Sequence, residues 1–172
     1  TQNPIEQEGA YPLPEAQLDR FLLEIVVDYP TLEEERAILV ATTGAEQDKA
    51  QAVLDPGALM KLQTLIRRAP VGDKVTEAIL ALVRSCRPDD ASAPKRVAQS
   101  VAWGPGPRAA QALMLASRAR ALLSGRLAPS LDDVVALARP ALRHRMALGF
   151  AAKAEGVTLE SVIDDATARA CG

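Results

Sequence analysis

Apolar positions recur at helical spacing through most of the chain from residue 31 onward, and as a short, mostly aliphatic run just before it. Residues 22–28, Leu-Leu-Glu-Ile-Val-Val-Asp, are aliphatic and β-branched and stop at Tyr29-Pro30, which predicts a strand. Ahead of them, Pro14 followed by Glu15, Ala16, Gln17 and Leu18 suits a short helix with proline in its first turn. From residue 31 the period changes. Thr31 with Glu34 forms a capping-box pattern; Leu32, Ala37, Ile38, Leu39 and Val40 supply an apolar face, and Gly44 ends the helix. Pro56 opens a second helix carrying Leu59, Met60, Leu62, Leu65 and Ile66, stopped at Ala69-Pro70. A third runs over residues 73–87 with Val75, Ile79, Leu82 and Val83 on its inner side.

Residues 88–94 carry three acidic or hydroxyl side chains between two prolines and read as a surface loop. Residues 95–103 have no clean period and predict a connector. Gly-Pro-Gly-Pro at 104–107 then resets the backbone before a long helix over 108–123, closed by Gly125. Ser130 and Asp133 start another helix with Leu131, Val134, Val135, Leu137 and Leu142 as its stripe, and Thr158 caps a last one through Leu159, Val162 and Ile163. One-sided helices of about 12 to 16 residues on short connections imply a small bundle. The helix beyond Arg145 either completes that bundle or lies across the core. No fixed-period repeat marks a solenoid.

Composition narrows the functional classes. The chain has 172 residues, 48% of them apolar, which is enough for a buried core. A net charge of −2 gives no field that would hold nucleic acid or an anionic membrane, and 3% aromatic residues leave few faces for base stacking. Cys86 and Cys171 are far apart with no Cys-x-x-Cys, and the single histidine, His144, cannot build a metal site alone, so no metal site is expected. No run approaches the roughly 20 apolar residues of a membrane span and no leader opens the chain, so a reducing cytoplasm is the expected setting.

Three polar residues stand out chemically. Arg108 sits in the first turn of its helix behind Pro107, where the dipole disfavours a cation unless an anion joins it; a solvated helix arginine is the alternative. Asn3 precedes Pro4 and would place an amide at a strand end, able to orient a water, or would simply form an Asx turn. Arg20 ends a short helix, where a cation complements the dipole. The knot Arg143-His144-Arg145 at a later helix end reads as dipole complementation, and Glu6 and Glu8 flank a glycine-containing loop.

Residues 1–21, with Thr-Gln-Asn-Pro at 1–4, Glu-Gln-Glu-Gly at 6–9 and Leu-Asp-Arg-Phe at 18–21, resemble the close of the ATPase core in the MoxR family of AAA+ proteins. Gly-Pro-Arg-Ala at 106–109 is similar to the sensor 2 motif of MoxR-like lids, which usually carries Ser where this chain has Pro105 and Gly106. The resemblance extends over residues 1–145. It implies a mainly α fold: an AAA+ lid bundle preceded by a helix-strand remnant of the α/β ATPase core. Residues 1–30 would close the core, 31–145 form the lid and 146–172 extend it. It also implies sensor 1 at Asn3, an arginine finger at Arg20 reaching a neighbouring subunit's nucleotide, and Arg108 on the γ-phosphate of ATP.

ATP and Mg²⁺ are the cofactors so implied. The partners are the protein's own N-terminal ATPase core, further copies in a ring, expected to be a hexamer, and proteins with von Willebrand factor A domains, without nucleic acid or membrane insertion. ATP hydrolysis would drive chaperone-like remodelling or maturation of partner proteins. The chain contains no Gly-x-x-x-x-Gly-Lys-Ser/Thr loop and no apolar strand ending in Asp-Glu, so it is expected to begin in mid-domain and not to hydrolyse ATP by itself. Two other classes fit a helical bundle: a non-enzymatic interaction module, and the lid of a DNA-directed AAA+ machine.

Overall fold

The computed structural model describes residues 13–44 and 50–172, which fall into two compact units: residues 25–65, and residues 13–24 with 66–172. In the smaller unit, α2 (Leu32–Thr43) follows the short α1 (Glu15–Leu18) of the larger one. Thr31 and Glu34 close the expected capping box: Glu34 N–H donates to Thr31 Oγ1 at 3.4 Å, and Thr31 N–H donates to Glu34 Oε2 at 2.7 Å. Asp55 caps α3 (Pro56–Arg68) by accepting from Ala58 N–H at 2.8 Å.

Local signals thus place both helices correctly, but their apolar stripes are not buried. Leu32, Ile38, Leu39 and Val40 of α2, and Leu59, Met60, Leu62 and Leu65 of α3, are all exposed. Residues 22–28 form no strand, and Ile25, Val26 and Val27 stand in solvent. A strand needs a neighbouring strand to pair its N–H and C=O groups in a ladder, and among the described residues no strand pairs with this segment.

The larger unit contains α4 (Asp73–Ser85), α5 (Lys95–Ser100), β1 (Val101–Trp103), α6 (Pro107–Leu123), α7 (Leu131–Leu142), a 3-10 turn (Arg143–Arg145), β2 (Ala147–Leu148), α8 (Phe150–Ala154) and α9 (Leu159–Cys171). The expected connector at 95–103 is therefore a short helix running into a strand. That strand pairs antiparallel with β2, Val101 opposite Leu148 and Trp103 opposite Ala147. Helices α4, α6, α7 and α9 close a ring, each packed on its two neighbours, so the terminal helix completes the bundle.

Ile79 and Leu82 of α4, Leu113 of α6, Leu142 of α7 and Ile163 of α9 meet at its centre, each fully enclosed. Each such side chain contributes roughly 1.5–3 kcal/mol relative to leaving it in water. Gly125 ends α6 at φ 73°, letting Arg126 N–H reach back to Ala121 O at 2.9 Å. The α6–α7 connection is tied by Asp133, whose inaccessible carboxylate accepts from Arg120 (2.6 Å), Arg126 (2.6 and 2.7 Å) and Ser130 N–H (2.8 Å). The Arg126 guanidinium holds that carboxyl far below the usual range, against the opposing effect of burial.

Candidate functional site

Arg108 is presented by a backbone with little freedom. A Cβ on Gly104 would lie 2.4 Å from Cys86 O and 2.8 Å from Arg87 Cα, so only glycine allows this loop to touch the end of α4. Pro105 is fully buried beside it, and its carbonyl accepts from Arg87 Nε at 2.9 Å. Gly106 then provides the N-cap of α6 in ordinary extended backbone, without a side-chain cap, and Pro107 fixes the first helical φ. Pro107 has no N–H, and the Ala109 N–H is taken by Gly106 O at 3.1 Å. The half-exposed Arg108 guanidinium is the charged donor at this helix start.

One carboxylate faces it. Asp19 Oδ2 lies 3.2 Å from Arg108 Nη1, while Asp19 Oδ1 lies 3.1 Å from Arg145 Nε. Arg145 is 2% exposed and makes no ordinary surface pair. Its guanidinium also donates to the carbonyls of Asp19 (3.0 Å), Phe21, Leu22 (3.2 Å) and Ala141 (2.5 Å). Burial lowers its pKa and Asp19 opposes that shift; an arginine remains charged throughout.

The dock uses a weakness at the end of α7. A helix leaves its last carbonyls without partners. Here Pro140 O accepts from Glu24 N–H at 2.8 Å and Ala141 O accepts from Arg145. The neighbouring His144 is buried, which lowers its pKa; neutral, it donates from Nε2 to Phe21 O at 3.2 Å. Residues 19–22 are thus held to the bundle by side chains 123 to 126 positions away, and Glu24 by the Pro140 carbonyl.

Of the residues singled out in sequence, Arg108 occupies the helix start expected for it. Arg20 is exposed and forms no ion pair among the described residues, one position along the chain from Asp19. Asn3, Glu6 and Glu8 lie outside the described residues. The basic knot does more than complement a dipole: Arg145 meets Ala141 O, as a cation at a helix end should, but it also clamps Asp19. Local sequence carries no signal for that clamp; only the opposite charges of Asp19 and Arg145 hinted at it. The free guanidinium nitrogens of Arg108 fit a phosphate oxygen pair. Among the described residues no three His, Cys, Asp or Glu side chains converge as a ready-made metal cluster. No helix among them is long and apolar enough to cross a membrane.

Two family models match: the one described as "AAA lid domain" over residues 93–166, and "ATPase family associated with various cellular activities (AAA)" over residues 1–23. The chain is 38% identical over 164 residues to "Chaperone MoxR1" of Mycobacterium tuberculosis, covering 95% of this chain and 43% of that protein. "Protein MoxR" of Paracoccus denitrificans is 31% identical, with 95% of this chain and 52% of that protein covered. The crystal structure of a candidate ATPase from Cytophaga hutchinsonii superposes with a TM-score of 0.88 at 28% identity, over 96% of this chain and 50% of that one. The chain spans about half the length of the curated relatives it matches. With the close of an ATPase core at one end, a lid bundle after it, and MoxR proteins aligned along nearly its whole length, the chain belongs to the MoxR family of AAA+ ATPases.

Proposed function

We propose that the protein carrying this chain couples ATP binding and hydrolysis to remodelling or maturation of partner proteins. Arg108 contacts the γ-phosphate of ATP held by the same subunit, Arg20 reaches the nucleotide of a neighbouring subunit, and Asn3 orients the attacking water. The observation that carries the reading is Arg108 itself: a half-exposed guanidinium in the first turn of α6, where a cation is unfavourable without an anion, with a single carboxylate contact. Asp19 shares its one negative charge between Arg108 and Arg145, and a phosphate would supply the further charge and use the remaining donors.

An arginine offered in trans acts by stabilising charge on the transferring phosphoryl group, worth about 10³–10⁵ in rate in related systems. It requires copies arranged in a ring, and a cytoplasmic hexamer acting on proteins with von Willebrand factor A domains is the form the MoxR resemblance suggests. The phosphate loop and Mg²⁺-binding acids would come from the ATPase core, and these residues alone would not turn over ATP.

The test is ATP turnover of the complete protein. Arg20→Ala subunits should be inactive alone, and mixing them with subunits lacking the phosphate-loop lysine should restore part of the rate, because each supplies what the other lacks. Full turnover by Arg20→Ala alone would overturn the trans role. Arg108→Ala should weaken nucleotide binding; unchanged affinity and rate would return Arg108 to an ordinary surface role.

A further inference from the structure

The carboxylate of Asp19 is divided between two arginines of very different character. Oδ1 takes Nε of the buried Arg145, which also holds the backbone carbonyl of Asp19 itself at 3.0 Å. Asp19 is therefore fixed at both main chain and side chain. Oδ2 takes only Nη1 of Arg108, at 3.2 Å, and Arg108 Nε and Nη2 meet no acceptor among the described residues. A carboxylate competing for the anion site would be expected to engage the guanidinium through two nitrogens, since that fork geometry is the stronger one. A single contact from a rigidly held carboxylate restrains a long side chain while leaving its other donors open.

We propose that Asp19 is a positioning residue for Arg108: anchored by Arg145, it holds the guanidinium by one nitrogen and leaves the remaining two aimed at phosphate. This rests on the reading of Arg108 as a phosphate contact. A free arginine side chain loses rotamer freedom when it binds, and part of that loss is taken before the ligand arrives when one nitrogen is tethered. Because Asp19 immediately precedes Arg20, the same anchor also ties the placement of Arg108 to the turn that offers the proposed finger.

The experiment is a double-mutant cycle on nucleotide affinity in the complete protein, read with a non-hydrolysable ATP analogue. Asp19→Ala should weaken binding about 2- to 5-fold, the range of one partly exposed ion pair. Asp19→Asn, which keeps an oxygen acceptor, should recover part of the loss. In an Arg108→Ala background, Asp19→Ala should change affinity no further. An equal loss with or without Arg108 would assign Asp19 to the Arg145 clamp alone and overturn the proposal, as would unchanged or tighter binding by Asp19→Ala. Arg108→Ala without effect would overturn the phosphate-contact reading and this one with it; a clear loss in Arg108→Ala beside an unaffected Asp19→Ala would overturn this one only. Thermal melts of Asp19→Ala and Arg145→Met check that any affinity loss is not local unfolding of residues 19–24.

Discussion

Replacing Asp133 by Asn removes the charge at the centre of the α6–α7 tie without changing its shape. The wild-type carboxylate is wholly inaccessible and accepts three arginine bonds at 2.6–2.7 Å and one from Ser130 N–H at 2.8 Å. The amide retains one oxygen and turns an NH₂ group toward guanidinium donors, so at least one bond is lost and one donor faces another. Breaking a buried ion pair costs about 3–5 kcal/mol. Arg120 and Arg126 are 44% and 39% exposed, however, and can regain water when the carboxylate is gone. The expected cost is therefore lower, about 2–4 kcal/mol.

Urea unfolding followed by helical circular dichroism reads this as a midpoint lowered by roughly 1–2 M at an m-value of about 2 kcal/mol/M. The pH dependence follows from the depressed folded-state pKa of Asp133. The stabilisation it gives is complete above the ordinary aspartate value near 3.9 and is lost as pH falls through the folded value. The gap between wild type and Asp133→Asn should hold from pH 8 to pH 5 and narrow toward pH 2.5. A gap below about 0.5 kcal/mol at pH 7, or one that stays constant into acid, would refute the reasoning.

The loop before Arg108 offers a paired test at Gly104 and Gly106. Gly104→Ala should destabilise by about 1–3 kcal/mol, because its methyl meets backbone atoms that cannot rotate away; Gly106→Ser has open space and should add a few tenths of a kcal/mol by capping α6, both read as thermal melts. Burial pushes the Cys86 thiol up to about 12, so at pH 8 a disulfide reagent should modify Cys171 well before Cys86, with equal rates for the two counting against the enclosed position of Cys86.

The features that were legible in sequence are the local ones. The pattern Val75, Ile79, Leu82, Val83 marks a buried helix face because α4 finds partners inside the same chain. The apolar residues of α2 and the clear stripe of α3 predict burial and fail, since a pattern reports which side is apolar and not whether anything covers it. Arg108 was legible because Pro107 and the glycines that set it are adjacent in sequence. Its carboxylate partner is 89 residues away and the buried Arg145 that fixes that carboxylate is 126 away from it, distances at which no capping rule or period carries information. The Leu-Asp-Arg-Phe turn drew attention to its arginine, whereas the structure gives the aspartate the larger number of contacts.

That separation also sets an order of events. The half of the dock containing Asp19 leaves the ribosome first, and Arg145 follows 126 residues later, roughly 6–25 s at 5–20 residues per second. Until then Glu24 N–H has no Pro140 carbonyl to meet, and the turn bearing Arg20 has no anchor. Arg145 is itself made before α9, so the arrangement of Arg20, Asp19 and Arg108 becomes possible only once α4, α6 and α7 have been synthesised, yet before the bundle has its last helix.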